Sequence, residues 1–344
     1  MKVQTITLSK CSLHFLRYME RRLYMATTTT TTTVTGKKKR LAKRKNHDKW
    51  GYVFMAPFFL FFLTFNFYPM FYTIYLSFTD LAGWATEANI VGFRNFQNIY
   101  NNMLFRRAVS NTFILWVVNF VPQIVLAFLL AYWFTSRRLN LKGIGFFKSL
   151  FYLPNIITAA SVAVIFRSLF SFPRGPINQF LLSSGLVDSP VDFFRSVVMT
   201  RLIVSFIQFW MWYGQTTIVL QAGILGIDEN LFDAARVDGA TDWQSFTKIT
   251  MPLMKPITLY VLITSLIGGL QMFDIPYLLT GGGPQQSVET MITFIYKQAF
   301  QGGRNLNVAA TASVVLLLMT TAFSLLVFNS FRTRSSKRVR KGVK

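Results

Sequence analysis

The sequence predicts an all-α polytopic membrane protein with six transmembrane helices. Three observations carry that prediction. Hydrophobic residues make up 52% of the 344 and charged ones only 14%, whereas soluble domains carry about 25% charged residues. Six apolar segments each reach the roughly 20 residues that a helix needs to cross the hydrocarbon core. The basic residues gather between and beyond those segments.

Residues 1–49 precede the first span and are expected to form a disordered basic cytoplasmic tail. The run Thr27–Thr33 is low in complexity. Lys37–Lys49 is polybasic and suits anionic lipid and topology anchoring. No signal-peptide core precedes it, since Leu13, Phe15 and Leu16 are hemmed in by charge. Met25 opens a stretch that reads naturally as a chain start, so the first 24 residues read as an extension.

The six spans are expected at Tyr52–Phe78, Ser110–Phe134, Phe146–Phe170, Val197–Gln221, Ile257–Leu279 and Val308–Ser330. Pro57, Pro69, Pro122 and Pro154 fall inside or near them, where packed neighbours re-satisfy the freed carbonyls. The third span carries Ala159 and Ala163 with Thr158 and Ser161, a small-residue face suited to close packing. The membrane-spanning body is expected over 50–335, with a basic cytoplasmic tail at 336–344. Lys and Arg on the side holding both termini number 27, against seven in the intervening loops. The positive-inside rule therefore predicts that both termini are cytoplasmic.

The loop between spans four and five, about 223–256, is the polar interruption of this apolar chain. Asp228 caps a first short helix to about Asp238, and Gly239 ends it. Thr241 opens a second helix with Gln244 as capping-box partner, and Pro252 ends that one. Trp243, Phe246 and Ile249 recur at helical spacing as an apolar knob.

The run Asp233-Ala234-Ala235, then Gly239, then Ile249-Thr250-Met251-Pro252 resembles the EAA signature of ABC-importer permeases. Asp233 stands where that family usually has Glu, and Met251 where it has Leu, a volume-conserving change. Val91 to Phe96, Asn111-Thr112, Leu279 to Pro284, Glu289-Thr290 and Tyr296 to Phe300 look like the sugar-uptake branch. The likeness extends over about residues 50–335 and is strongest to the maltose- and glycerol-phosphate-type subunit. It implies the ABC-importer permease fold in the cell (inner) membrane and a second, non-identical six-span permease forming a heterodimer. It also implies ABC ATPase subunits docking at the signature loop, and an extracytoplasmic solute-binding protein. The ATPase-coupling residues are then Asp233, Ala234, Ala235, Gly239, Trp243, Phe246, Ile249 and Pro252.

Composition narrows the chemistry. The net charge of +23 sits at membrane flanks and accompanies no nucleic-acid motif, so lipid rather than nucleic acid is its expected contact. One cysteine, Cys11, excludes an intrachain disulfide, and both histidines lie in the N-terminal tail, so no metal site is expected in the body. No Walker A stretch, H-E-x-x-H or G-x-S-x-G occurs. The chain is expected to hold no cofactor, with ATP and Mg bound on the separate ATPase. A proton-coupled carrier would need midplane acids that the spans lack, although sodium coupling through backbone oxygens needs none. Asp274, Arg167 and Arg201 lie near span ends and read as interfacial or structural.

Two spans offer a solute-contacting face. Gln208, Trp212 and Gln215 stack at i, i+4 and i+7 in span four, flanked by Met211. Ser265, Gly269 and Met272 repeat that spacing in span five, with Gly268 beside them. Glutamines facing lipid are costly, so they face protein or a wet cavity. Amides and an aromatic ring suit a sugar or polyol. The alternatives are another solute (glycerol phosphate, an oligopeptide), or glutamines that only bridge helices.

Overall fold

The computed structural model describes residues 48–83, 87–135, 143–302 and 304–341. The tail to residue 47, Met25, the basic loop residues Arg137, Arg138 and Lys142, and 342–344 lie outside the described residues. The described chain is helical, with one isolated bridge, Thr79 to Ile90, and no strand among the described residues.

Helix α1, Asp48–Phe62, contains Pro57. A π-helical turn, Leu63–Phe67, continues it into α2, Tyr68–Ser77, so that Trp50–Ser77 reads as one span. From Phe61 onward, Phe61, Phe65, Tyr68 and Phe71 present their rings outward, as a lipid-facing surface requires. Beyond α2, Asp80 accepts from the backbone N–H and side chain of Asn89, which hold its carboxyl below the usual range. Helix α3, Arg94–Asn101, turns its buried Asn95 onto the carbonyls of Ser77 and Thr79, ending α2.

Helix α4, Met103–Thr135, is the second span and starts a full two turns earlier than its apolar segment. The expected third span differs from a straight helix. It consists of α5, Ile144–Ile156, and α6, Ala159–Leu169, bent by 90°. Apolarity runs through the break, but the chain geometry does not. Thr158 is extended and accepts from the Ser161 N–H as the N-cap of α6, so the polar pair starts a new helix. Ala163 is fully buried at that helix's packing face.

Short α7, Pro176–Ser183, precedes α8, Val197–Leu225, the fourth span. After the signature loop, α12 (Lys255–Leu270) and α13 (Asp274–Thr280) make the fifth span. Helix α14, Met291–Phe300, and α15, Leu306–Lys341, follow, the latter holding the sixth span. Five segments are thus long apolar helices and the other is the bent pair.

Helices α4 and α8 form the centre of the bundle. Leu115, Val204, Ile207, Ile275 and Leu279 build one core with Val162 and Ala163 of α6. Ala127, Ala131, Leu220, Met254 and Val261 build another at the end nearer the signature loop.

The loop between α13 and α14 is tied down by polar groups that are otherwise costly in a bundle. Gly281, in the left-handed region, ends α13. Arg201 on α8 donates to the carbonyl of Ser287 (3.0 Å) and to Asn111 (2.7 Å). Thr290 donates to the carbonyl of Met272 (2.6 Å), Thr112 accepts from the Met291 N–H (3.0 Å), and Lys297 pairs with Glu289 (2.8 Å). Arg201 is therefore structural, joining α8 to α4 and to this loop.

Candidate functional site: an amide-lined cleft and the signature loop

The signature loop folds as its caps dictate. Asp228 accepts from the Asn230 N–H and starts α9, Glu229–Val237. Gly239 takes φ +76°, where a side chain is strained, with open space around it. Thr241 and Gln244 form the reciprocal capping box of α10, Asp242–Ser245. The expected stop at Pro252 does not occur. A π-helical turn, Phe246–Thr250, leads into α11, Met251–Leu253, and the helical path continues toward α12. Pro252 lacks the N–H that Lys248 would accept, and the wider turn, closed by Met251 N–H to Phe246 O, lets the chain pass the ring without unwinding. The first span uses the same device, a π turn two residues before Pro69.

Of the coupling residues, Trp243 is 70% exposed and lies tilted against Phe246, which packs edge-on against Tyr132 of α4. Ala234 and Pro252 are exposed, while Ala235 and Ile249 are half-buried. Asp233 is exposed and paired with Arg236 at 3.2 Å. Exposed pairs of this kind contribute about 0–1 kcal/mol, so the pair is readily exchanged for another cation.

The second place is a cleft of about 360 Å³ between α4, α8 and α12, within the range of small-ligand sites, about 300–1,000 Å³. Gln208, Trp212, Gln215, Ser265, Gly268, Gly269 and Met272 all line it. Met211 does not. It turns into the core with Ile207 and Met272, because one residue's rotation about α8 carries it about 100° from Trp212. Helix α4 supplies Trp116, Asn119 and Gln123, a face at i, i+3 and i+7 that sequence reasoning missed. Its amides were a visible signal in an apolar span. Thr216, Tyr260, Thr264, Gln271 and Asp274 complete the polar lining.

Only part of this polarity is internally satisfied. Gln123 donates to Thr216 (2.7 Å), and Asn119 to the carbonyl of Leu115 (2.9 Å). Gln208 and Gln215 make no side-chain hydrogen bond among the described residues. The buried Trp116 Nε1 likewise has no acceptor. Gly269 permits this geometry, since a Cβ there would overlap the Trp116 ring.

Residues 99–341 match the family described as binding-protein-dependent transport system inner membrane component. The chain belongs to that family. It is the multi-pass membrane permease of an ABC importer that works with a solute-binding protein, and ATP hydrolysis belongs to a separate subunit. The chain is similar to the lactose transport system permease protein LacF of Rhizobium radiobacter, at 30% identity over 86% of this chain and 98% of LacF. It is also similar to the arabinooligosaccharides transport system permease protein AraP of Bacillus subtilis, at 30% identity over 80% of this chain and 86% of AraP. A solved bacterial ABC transporter involved in import of the acidic polysaccharide alginate superposes with a TM-score of 0.72 at 25% identity, covering 84% of this chain and 96% of that one.

Proposed function

We propose that this permease forms half of the translocation pathway for a sugar or related polyol, and that the α4–α8–α12 cleft is where the solute passes. The observation that carries this is the pair of unengaged amides, Gln208 and Gln215, facing the cleft beside Trp212. If these glutamines only bridged helices, each would hold a partner on another helix, as Gln123 does. Amides suit sugar hydroxyls, and an indole suits the apolar face of a pyranose ring. LacF and AraP, named for lactose and arabinooligosaccharides, support the same class.

The chain pairs with a second, non-identical permease, and two ATPase subunits carrying ATP and Mg dock at Asp233, Ala234, Ala235, Gly239, Trp243, Phe246, Ile249 and Pro252. Both termini and the signature loop face the cytoplasm, as the excess of Lys and Arg on that side supports. The solute-binding protein delivers from the other side.

The test is sugar uptake alongside basal ATPase for complexes carrying Gln208→Leu, Trp212→Ala or Gln215→Leu. The cleft reading requires an altered solute range or apparent affinity with assembly and ATPase intact. Variants that lose only assembly would assign the stripe to packing and move the pathway elsewhere.

A further inference from the structure

Among the described residues lining the cleft, Asp274 is the only carboxylic acid, and no Lys, Arg or His is present. Its carboxylate is exposed and engages no hydrogen bond or ion pair among the described residues. Of the nearby cations, Arg201 is hydrogen-bonded to Asn111 and the carbonyl of Ser287, and Lys297 is paired with Glu289. A carboxylate with no partner among the described residues, at a cleft lined by no cation, biases the field that an entering solute meets. Discrimination by charge is then repulsive, which is an effective way to reject a competitor of otherwise similar shape.

We propose that Asp274 makes this half of the pathway a charge filter. It passes neutral and amine-bearing sugars and turns back anionic ones, such as uronates and sugar phosphates. The proposal rests on the sugar-pathway reading, and it sets this cleft apart from an importer whose cargo is an acidic polysaccharide. A purely structural role is the competing account. Asp274 stands in the first turn of α13, where a carboxylate complements the helix end.

The two accounts separate by a measurement on the assembled complex in membrane vesicles. Cys11 is the chain's one cysteine, so Cys11→Ser with Gly268→Cys leaves a single thiol in the cleft. Gly268 is exposed, with open space where a Cβ would stand. The probes are methanethiosulfonates of matched size, one carrying trimethylammonium and one carrying sulfonate. Relative to their rates with free mercaptoethanol, the cationic reagent should react about tenfold faster than the anionic one, the lower end of electrostatic focusing. Asp274→Asn should bring the two within about twofold, and Asp274→Glu should restore the preference.

A preference that survives Asp274→Asn, or an anionic reagent that reacts faster, overturns the filter. The readout does not depend on which solute is carried. Failure of sugar uptake with the thiol preference intact would sink the sugar reading alone. An Asp274-independent preference with sugar uptake intact would sink the filter alone.

Discussion

Arg201 and Asn111, ninety residues apart in the chain and on different helices, meet at 2.7 Å, with the guanidinium donating to the amide oxygen. The amide nitrogen of Asn111 then donates to the carbonyls of Gln286 (2.7 Å) and Glu289 (3.1 Å). Asn111→Leu removes all three bonds and leaves buried acceptors unsatisfied, at about 1–3 kcal/mol for such a group. The expected outcome is a lower midpoint of thermal unfolding in detergent and faster proteolysis within residues 281–290. Unchanged melting and protease resistance would show that the remaining ties, Arg201 to Ser287, Thr112 to Met291, Thr290 to Met272 and Glu289 to Lys297, suffice to hold the loop.

Gly269 is where α12 comes against the indole of Trp116. Gly269→Val should lower the yield of assembled complex, since overpacking a tight contact costs about 1–3 kcal/mol. Trp116→Ala in the same chain should recover much of that yield. Gly268→Val, one residue away in open space, should assemble normally. Complex yield after affinity purification through the second permease reads all three.

Gly239→Val forces a β-branched residue into the left-handed region, at a local cost of about 1–3 kcal/mol. The turn is exposed, so the permease should still insert and copurify with its partner permease, while uptake is lost or severely reduced. Normal uptake by a well-expressed variant would remove the turn from the coupling argument. Asp233→Ala should have a mild effect, because its pair with Arg236 is exposed.

Pro252→Ala returns an N–H to the helix and removes the reason for the π turn. Amide exchange should slow across Phe246–Thr250 as regular α-helical bonding forms. The Trp243–Phe246 tip should then rotate relative to α12, and uptake per ATP hydrolysed should fall. Unchanged exchange in that stretch would mean that the π turn is fixed by Phe246 packing on Tyr132 instead.

What the sequence disclosed depended on the range of the interaction. The caps at Asp228, Thr241 and Gln244 were legible because each bond closes within three residues. The stripes of Gln208, Trp212 and Gln215, and of Ser265, Gly269 and Met272, were legible because helical periodicity fixes a face. Periodicity does not say which neighbour shares that face, so Met211 was placed in the cleft and Trp116, Asn119 and Gln123 were passed over. The 90° bend was hidden because apolarity is insensitive to direction, although Thr158 and Ser161 held the capping signal. Arg201 was read only as interfacial or structural, and its partners were not named because both are remote in the chain. Pro252 read as a stop because a π turn leaves no compositional trace.

The bond from Thr290 to Met272, with Thr112 holding the next residue of the same turn, pins the far end of α12 to the start of α4. A rod pinned at one end moves most at the other. From Leu270 back to Lys255 is about 22 Å of helix at 1.5 Å per residue, so a tilt of about 10° displaces Lys255 by about 4 Å. That end is joined to the signature loop, and through Met254 and Val261 it rests on Ala127, Ala131 and Leu220. Thus a thrust of a few ångströms on the loop is, in lever terms, already a change in the width of the cleft.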